Sequence, residues 1–383
     1  NGKNTAIGYQ ALKLLDSGSD GQNTAIGYQA GLSVSTGISN VLIGSTTGDA
    51  ITTGSSNVAV GNFALSAEDG HGNNTAIGTY ALQDLDAGTN ANDTAVGYFA
   101  GANCTTSVQS VYMGAFAGFQ CTSASDNVAI GYQALKAETV RGKSVAIGKD
   151  ALLSQTGGSG DMYNVVIGYE AADAVTTSNQ NVVVGAKALG GETTGSNNVA
   201  VGYQALLVSD GGVDNVAVGK DAGKSISTGI RNTIIGATAG DALTTGSNNT
   251  IIGKNAEASA VDVDNEITLG NSAISTIRAQ VTSISSLSDR RDKKDIEDST
   301  YGLDFVDSLK PVTFEWDQRD GERKGVKDVG FIAQDLQEVD DEYTRLVYES
   351  NPDKLEATYG RLIPIMAKAI QELSAKVKML ENK

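Results

Sequence analysis

The sequence predicts a mainly β protein. A parallel β-solenoid runs over residues 1–270, a connector over 271–287, and a small α+β domain ending in a coiled-coil helix over 288–383. Three observations carry this. A glycine recurs at fixed spacing through the first 270 residues, a short apolar alternation precedes each copy, and the composition changes near residue 280.

The phrase "NTAIGYQAL" at Asn4 returns as "NTAIGYQAG" at Asn23 and "NVAIGYQAL" at Asn127. Its glycine falls at Gly8, Gly27, Gly44, Gly61 and onward to Gly270. That makes sixteen copies, spaced 17 residues apart except for two gaps of 19 and one of 20. Fixed periodicity is the mark of a solenoid, whose units bury apolar surface only against their neighbours. The residue before the glycine is Ile, Val, Leu or Met. Two positions further back stands Thr, Val or Ile, with a small residue, usually Ala, between them. This is the alternation of a half-buried strand.

The position four before the glycine is Asn in twelve of the sixteen copies, and stacked Asn side chains can hydrogen-bond along a ladder. The third residue after the glycine is Ala in every copy except Thr47, which points to close approach of backbones. Turn residues such as "TTGSSN" and "TTGSNN" separate the copies. Helical repeats need periods of about 33 or more and helical apolar spacing. Here β-branched residues alternate instead. At ~4.8 Å per rung, sixteen rungs predict a stack roughly 75 Å long. Calcium-binding rolls need G-G-x-G-x-D repeats and ice-binding solenoids need regular Thr-x-Thr pairs; neither pattern is present.

The chain holds 46 Gly but only three Pro, at 311, 352 and 364, and one Trp, Trp316, all in the last quarter. With 28 basic against 45 acidic residues the formal charge is −17, so no nucleic-acid partner is expected, because phosphate binding needs clustered Lys and Arg. Cys104 and Cys121 are the only cysteines. They are placed to face each other in neighbouring copies, but one pair makes no disulfide framework. No cofactor or metal site is expected. No apolar run is long enough to span a membrane and no signal peptide is recognisable, so no membrane insertion is expected. The chain opens inside a repeat without Met, which suggests a fragment lacking an N-terminal part.

After Gly270 charge density rises and helical patterns begin. In the final stretch Ile363, Met366, Ile370, Leu373, Val377 and Leu380 alternate at spacings of three and four, an a/d heptad seam, with Pro364 tolerated in the first turn. The alternative is a helix packed on its own domain, and heptad rules alone favour two strands. The one histidine, His71, lies far back in the repeats, so no Ser-His pair is available within this stretch. A lysine can serve as base to a serine if burial lowers its pKa. In "SDRRDKKDI" spacing alone does not choose between Lys293 and Lys294 as such a base.

Two resemblances extend this reading. "SVAIG" at Ser144 to Gly148 resembles the head repeats of trimeric autotransporter adhesins, which stack as left-handed parallel β-rolls, although the period here is longer. "SDRRDKKDI", "LKPVTFEW", "VGFIAQDLQEV" and "YGRLIPIMAKAIQEL" resemble, in order, the C-terminal intramolecular chaperone and self-cleavage domain of endosialidase-type phage tailspikes and tail fibres. That resemblance implies Ser288 as nucleophile, Lys293 as its base and Leu287–Ser288 as the bond cut. It also implies a homotrimer with the heptad seam at its axis. Where the family usually has an apolar residue this chain has Asp292, whose charge would favour protonated Lys293.

The expected function is therefore a trimeric fibre shaft of a virion, a phage tail fibre or spike. It would attach to an unidentified host-surface receptor, and its C-terminal domain would drive trimerisation and folding before releasing itself by autoproteolysis. A bacterial cell-surface trimeric adhesin is the alternative, but the ending "AKVKMLENK" is no alternating membrane strand. A glycan-cleaving enzyme would need paired carboxylates, whereas Asp16, Asp20, Asp84 and Asp86 lie scattered in loops. Self-cleavage is the only enzymatic activity expected.

Overall fold

A computed structural model describes residues 2–16, 20–157, 160–274, 276–278, 288–318, 323–349, 351–353 and 355–382. The chain divides into two compact units, Asn1–Gly270 and Asn271–Lys383.

The first unit is a parallel β-solenoid. Sixteen three-residue strands, from β1 (Thr5–Ile7) and β2 (Thr24–Ile26) to β16 (Ile267–Leu269), form one sheet in chain order. Each strand pairs with the next at equivalent positions, Thr5 with Thr24 and Ile7 with Ile26, and the longer gaps leave that register intact. The phrase glycine is a steric requirement. Gly27 has φ +140°, and a Cβ there would lie 2.1 Å from the Gly44 carbonyl oxygen.

The middle residue of each strand points inward, and the β-branched residues on either side point outward. Ala25, Ala59, Ala76 and Ala146 are fully buried, whereas Ile77, Ile167, Val184, Val218, Ile235 and Ile252 are exposed in the single chain. Leucines four residues after the glycine, such as Leu65, Leu82, Leu135 and Leu189, fill the remaining core. Where the middle residue is large, glycines replace those leucines. Tyr112 occupies the space beside Gly101 and Gly118, and Leu42 that beside Gly31 and Gly48. A rung of 17 residues holds a fixed volume, so one large side chain excludes another.

The asparagine column is buried and bonds to backbone. Asn40 Oδ1 accepts the N–H of Asn57 at 2.9 Å, and its Nδ2 donates to the Gly54 carbonyl at 2.9 Å. Asn215 repeats this with Asn232 N–H at 2.9 Å and Gly229 O at 2.8 Å. Asn40 and Asn215 thus each bind two backbone groups of the following rung, which satisfies polar groups that the narrow core would otherwise strand, whereas the Nδ2 groups of Asn74 and Asn127 are buried without a partner. Cys104 and Cys121 are free, buried thiols in successive rungs. Their mutual hydrogen bond, together with burial, pushes the Cys121 thiol up.

The second unit is built from α1 (Leu303–Ser308), β17 (Val312–Glu315), β18 (Lys327–Gly330), α2 (Ala333–Gln337), β19 (Val347–Tyr348), β20 (Glu356–Ala357) and α3 (Leu362–Glu381). β17 and β18 form an antiparallel pair, as do β19 and β20. Leu336, Leu346, Leu362 and Ile365 make a small core, joined by Phe305, Val306 and Phe331. Among the described residues no helix is long and apolar enough to cross a membrane.

Candidate functional site

The segment that begins at Ser288 is a tight turn. Asp289 caps a short 3-10 helix over Arg290–Asp292 by accepting the Arg291 N–H at 2.8 Å. The same carboxylate pairs with the Arg291 guanidinium, Nη2 to Oδ2 at 2.6 Å. This pairing holds the Asp289 carboxyl below its usual range and raises Arg291. The turn closes with the Lys293 N–H on the Arg290 carbonyl at 3.2 Å. Reversal of the chain over this turn carries Lys293 back to Ser288, where Nζ lies 2.6 Å from Oγ.

In that contact the amine donates to the serine hydroxyl. With a neutral amine the contact would run the other way, the serine proton pointing at nitrogen, which is the geometry of a general base on its nucleophile. Among the described residues, neither Lys294 nor the Asp292 carboxylate reaches the Ser288 hydroxyl. Leu287, on the other side of the expected scissile bond, lies outside the described residues. Ser288 and Lys293 are both exposed in the single chain. Spacing alone did not reveal the Asp289–Arg291 pair as the shaper of the turn, although an Asp two residues before an Arg at a helix start is a legible capping signal.

The C-terminal helix α3 has two apolar faces. Leu362 and Ile365, 5% and 6% exposed, pack on the small core, and Glu372 Oε2 accepts the Leu303 N–H at the start of α1 at 2.8 Å. The heptad positions are turned away. Ile363 and Ile370 are 69% and 65% exposed, and Met366, Leu373, Val377 and Leu380 are exposed as well. The helix thus packs on its own domain while leaving its entire heptad seam uncovered.

Comparison with curated proteins and with solved structures finds no match. One family does match in part: Peptidase S74, chaperone of endosialidase, over residues 288–347. That span begins at Ser288 and includes the capped turn, both members of the β17–β18 pair, and α2. The chain carries a chaperone-of-endosialidase domain over residues 288–347, preceded by a β-solenoid.

Proposed function

We propose that this protein is the shaft of a homotrimeric fibre of tailspike type, whose C-terminal domain sets three chains in register and then cuts itself free before Ser288. The observation that carries the reading is the 2.6 Å contact between Lys293 Nζ and Ser288 Oγ at the first residue of the matched chaperone domain. Two exposed apolar surfaces support trimerisation: the seam of α3 and the outward β-branched columns of the solenoid. Contiguous apolar surface of this kind marks an association site.

The physical need for a registering domain follows from the repeat. Successive rungs are nearly identical, so chains pairing along them can slip by a whole rung with little penalty. Non-local β pairing is also slow to form. A trimeric α3 bundle would fix the register once. Assembly would bury the Ser288–Lys293 pair, favour the neutral amine, and so couple cleavage to correct association. Ser288 Oγ would attack the carbonyl carbon of residue 287 as its proton passes to Lys293, and the peptide nitrogen of Ser288 would leave with a proton. Water then releases the ester. Loss of the template leaves the fibre hard to refold and so kinetically trapped. Attachment to a host-cell surface as part of a phage virion completes the reading.

Four single variants on denaturing gels test the dyad. Ser288→Ala and Lys293→Ala should leave full-length chain, whereas Lys294→Ala should still cut. Asp292→Leu should cut faster, because a carboxylate beside the base favours its protonated form. Cleavage of Ser288→Ala at the parent rate would contradict the assignment.

A further inference from the structure

The seventh residue after each repeat glycine lies in the solenoid core. It is Val34, Ile51, Leu85, Val175, Ile226 or Leu243 in rungs of ordinary apolar type. Three rungs put a glutamate there, and Glu68, Glu138 and Glu192 are all fully buried. Two of these carboxylates are satisfied on both oxygens. Glu138 Oε1 accepts the N–H groups of Thr139 and Arg141 at 3.0 and 2.9 Å, and Oε2 accepts from Gln155 Nε2 at 2.8 Å, one rung on. Glu192 Oε1 accepts the Thr194 N–H at 2.9 Å, and Oε2 accepts from the Ser209 hydroxyl at 2.9 Å.

Glu68 differs because the next rung offers Leu85 at the equivalent place. Its Oε1 accepts the His71 N–H at 2.8 Å and stands 3.2 Å from His71 Nδ1. Its Oε2 is buried without any hydrogen bond. An orphaned buried carboxylate oxygen is expensive, more so than a neutral polar atom. The column beside it is altered at the same rungs. The eighth residue after the glycine is usually Thr, whose hydroxyl bonds a carbonyl of the next rung, as Thr105 and Thr122 do. At Asp69 and Asp86 two carboxylates follow one another, the only successive rungs with that pairing. Like charges one rung apart repel.

We propose that Glu68, Asp69, His71 and Asp86 form a binding site for one divalent first-row transition ion. One ligand atom from each lies within 4.8 Å of all the others. Ligands at ~2.0–2.2 Å from a tetrahedral ion stand about 3.3–3.6 Å apart, so side-chain movements of about 1 Å close the site. A buried carboxylate forms the floor, the half-exposed imidazole one wall, and two exposed carboxylates the mouth. One imidazole with three carboxylates suits zinc or manganese, whereas calcium takes oxygen donors alone. The ion would satisfy Glu68 Oε2, cancel the Asp69–Asp86 repulsion, and tie the turn of one rung to the longer turn of the next.

Tag-free full-length chain, stripped with chelator and titrated calorimetrically with zinc chloride, should bind one ion per chain. Saturating zinc should raise the thermal midpoint by at least about 2 °C. His71→Ala and Asp86→Asn should weaken binding by at least about tenfold, the loss expected when a metal ligand is removed. Glu68→Leu supplies the residue type normal to that column, so it should fold and melt at or above the midpoint of the stripped parent, yet ignore zinc. Absence of zinc binding by the parent would overturn the proposal. So would undiminished binding by Glu68→Leu or His71→Ala, since the zinc would then sit elsewhere.

Discussion

The Asp93 carboxylate accepts the Ser110 N–H at 2.7 Å, at a position where most rungs carry asparagine. The geometry of the ladder survives the exchange, but the chemistry does not, because asparagine stays neutral and aspartate does not. Burial pushes the Asp93 carboxyl up to about 6 from its ordinary 3.8, only partly offset by the Ser110 and Ser107 hydrogen bonds. A carboxyl raised on folding contributes stability that is fully present below its unfolded value and is lost as pH rises through its folded value. Between pH ~4 and ~6 Asp93 should therefore remove on the order of 3 kcal/mol from the parent. Asp93→Asn should abolish that loss, so thermal midpoints of the two proteins should coincide near pH 4 and diverge by pH 7, the variant higher. Parallel curves would show that Asp93 does not titrate on unfolding.

The asparagine ladder itself gives a local test. Asn215→Ala removes the acceptor for Asn232 N–H and the donor to Gly229 O, both inside the stack. The loss should be about 2–4 kcal/mol. Hydrogen exchange should show deprotection concentrated at Asn232 and its two neighbouring rungs, because solenoid contacts run only to nearest neighbours.

Core volume can be traded within a rung. A Cβ on Gly118 would lie 2.2 Å from the Tyr112 ring, so Gly118→Leu alone should prevent that rung from closing. The triple change Tyr112→Ala, Gly101→Leu and Gly118→Leu recreates the pattern of alanine flanked by leucines and should fold. Leu65 and Leu135 already adopt the left-handed φ of 52° that this position requires. Circular dichroism and thermal melts distinguish the two outcomes.

Much of this architecture is legible in the residues. The rung count, the parallel register and the exposed apolar face of the C-terminal helix follow from the glycine spacing, the alternation before it, and the Ile363–Leu380 pattern. The direction of the alternation is not legible, because a period of two says nothing about which side is core. Only the narrow rung decides that Ala59 goes in and Val58 and Val60 face out. The left-handed backbone at Leu12 and Leu65 is equally invisible, since leucine rarely adopts it and no residue type announces it. Asparagine bonds were expected along the ladder, and they run chiefly to backbone. The buried glutamates were missed because acids in turn-rich stretches read as solvated surface. Within the chaperone domain the Ser288–Lys293 pair was suggested by resemblance, since spacing left Lys294 open. The 3-10 turn around Asp289 is what separates the two lysines in space.

The two faces of α3 separate assembly from folding. Ile363→Asp with Ile370→Asp places charges at positions that are largely exposed in the single chain, so the domain should still fold. Burying two carboxylates at a bundle axis should weaken association more than about 100-fold. Sedimentation should show trimer for the parent and monomer for the double variant, with far-ultraviolet dichroism unchanged. Ile365→Ala, by contrast, opens the small core and should destabilise the domain itself by about 2–5 kcal/mol.

The central claim is that the folded, assembled chain cuts itself before Ser288, and the mass of the purified protein under denaturing conditions tests it most directly. The account predicts two species whose masses sum to the chain plus one water, the smaller beginning at Ser288, and a single full-length species from Ser288→Ala. A fragment with any other first residue, or an uncut chain in a preparation shown by sedimentation to be trimeric, would contradict it.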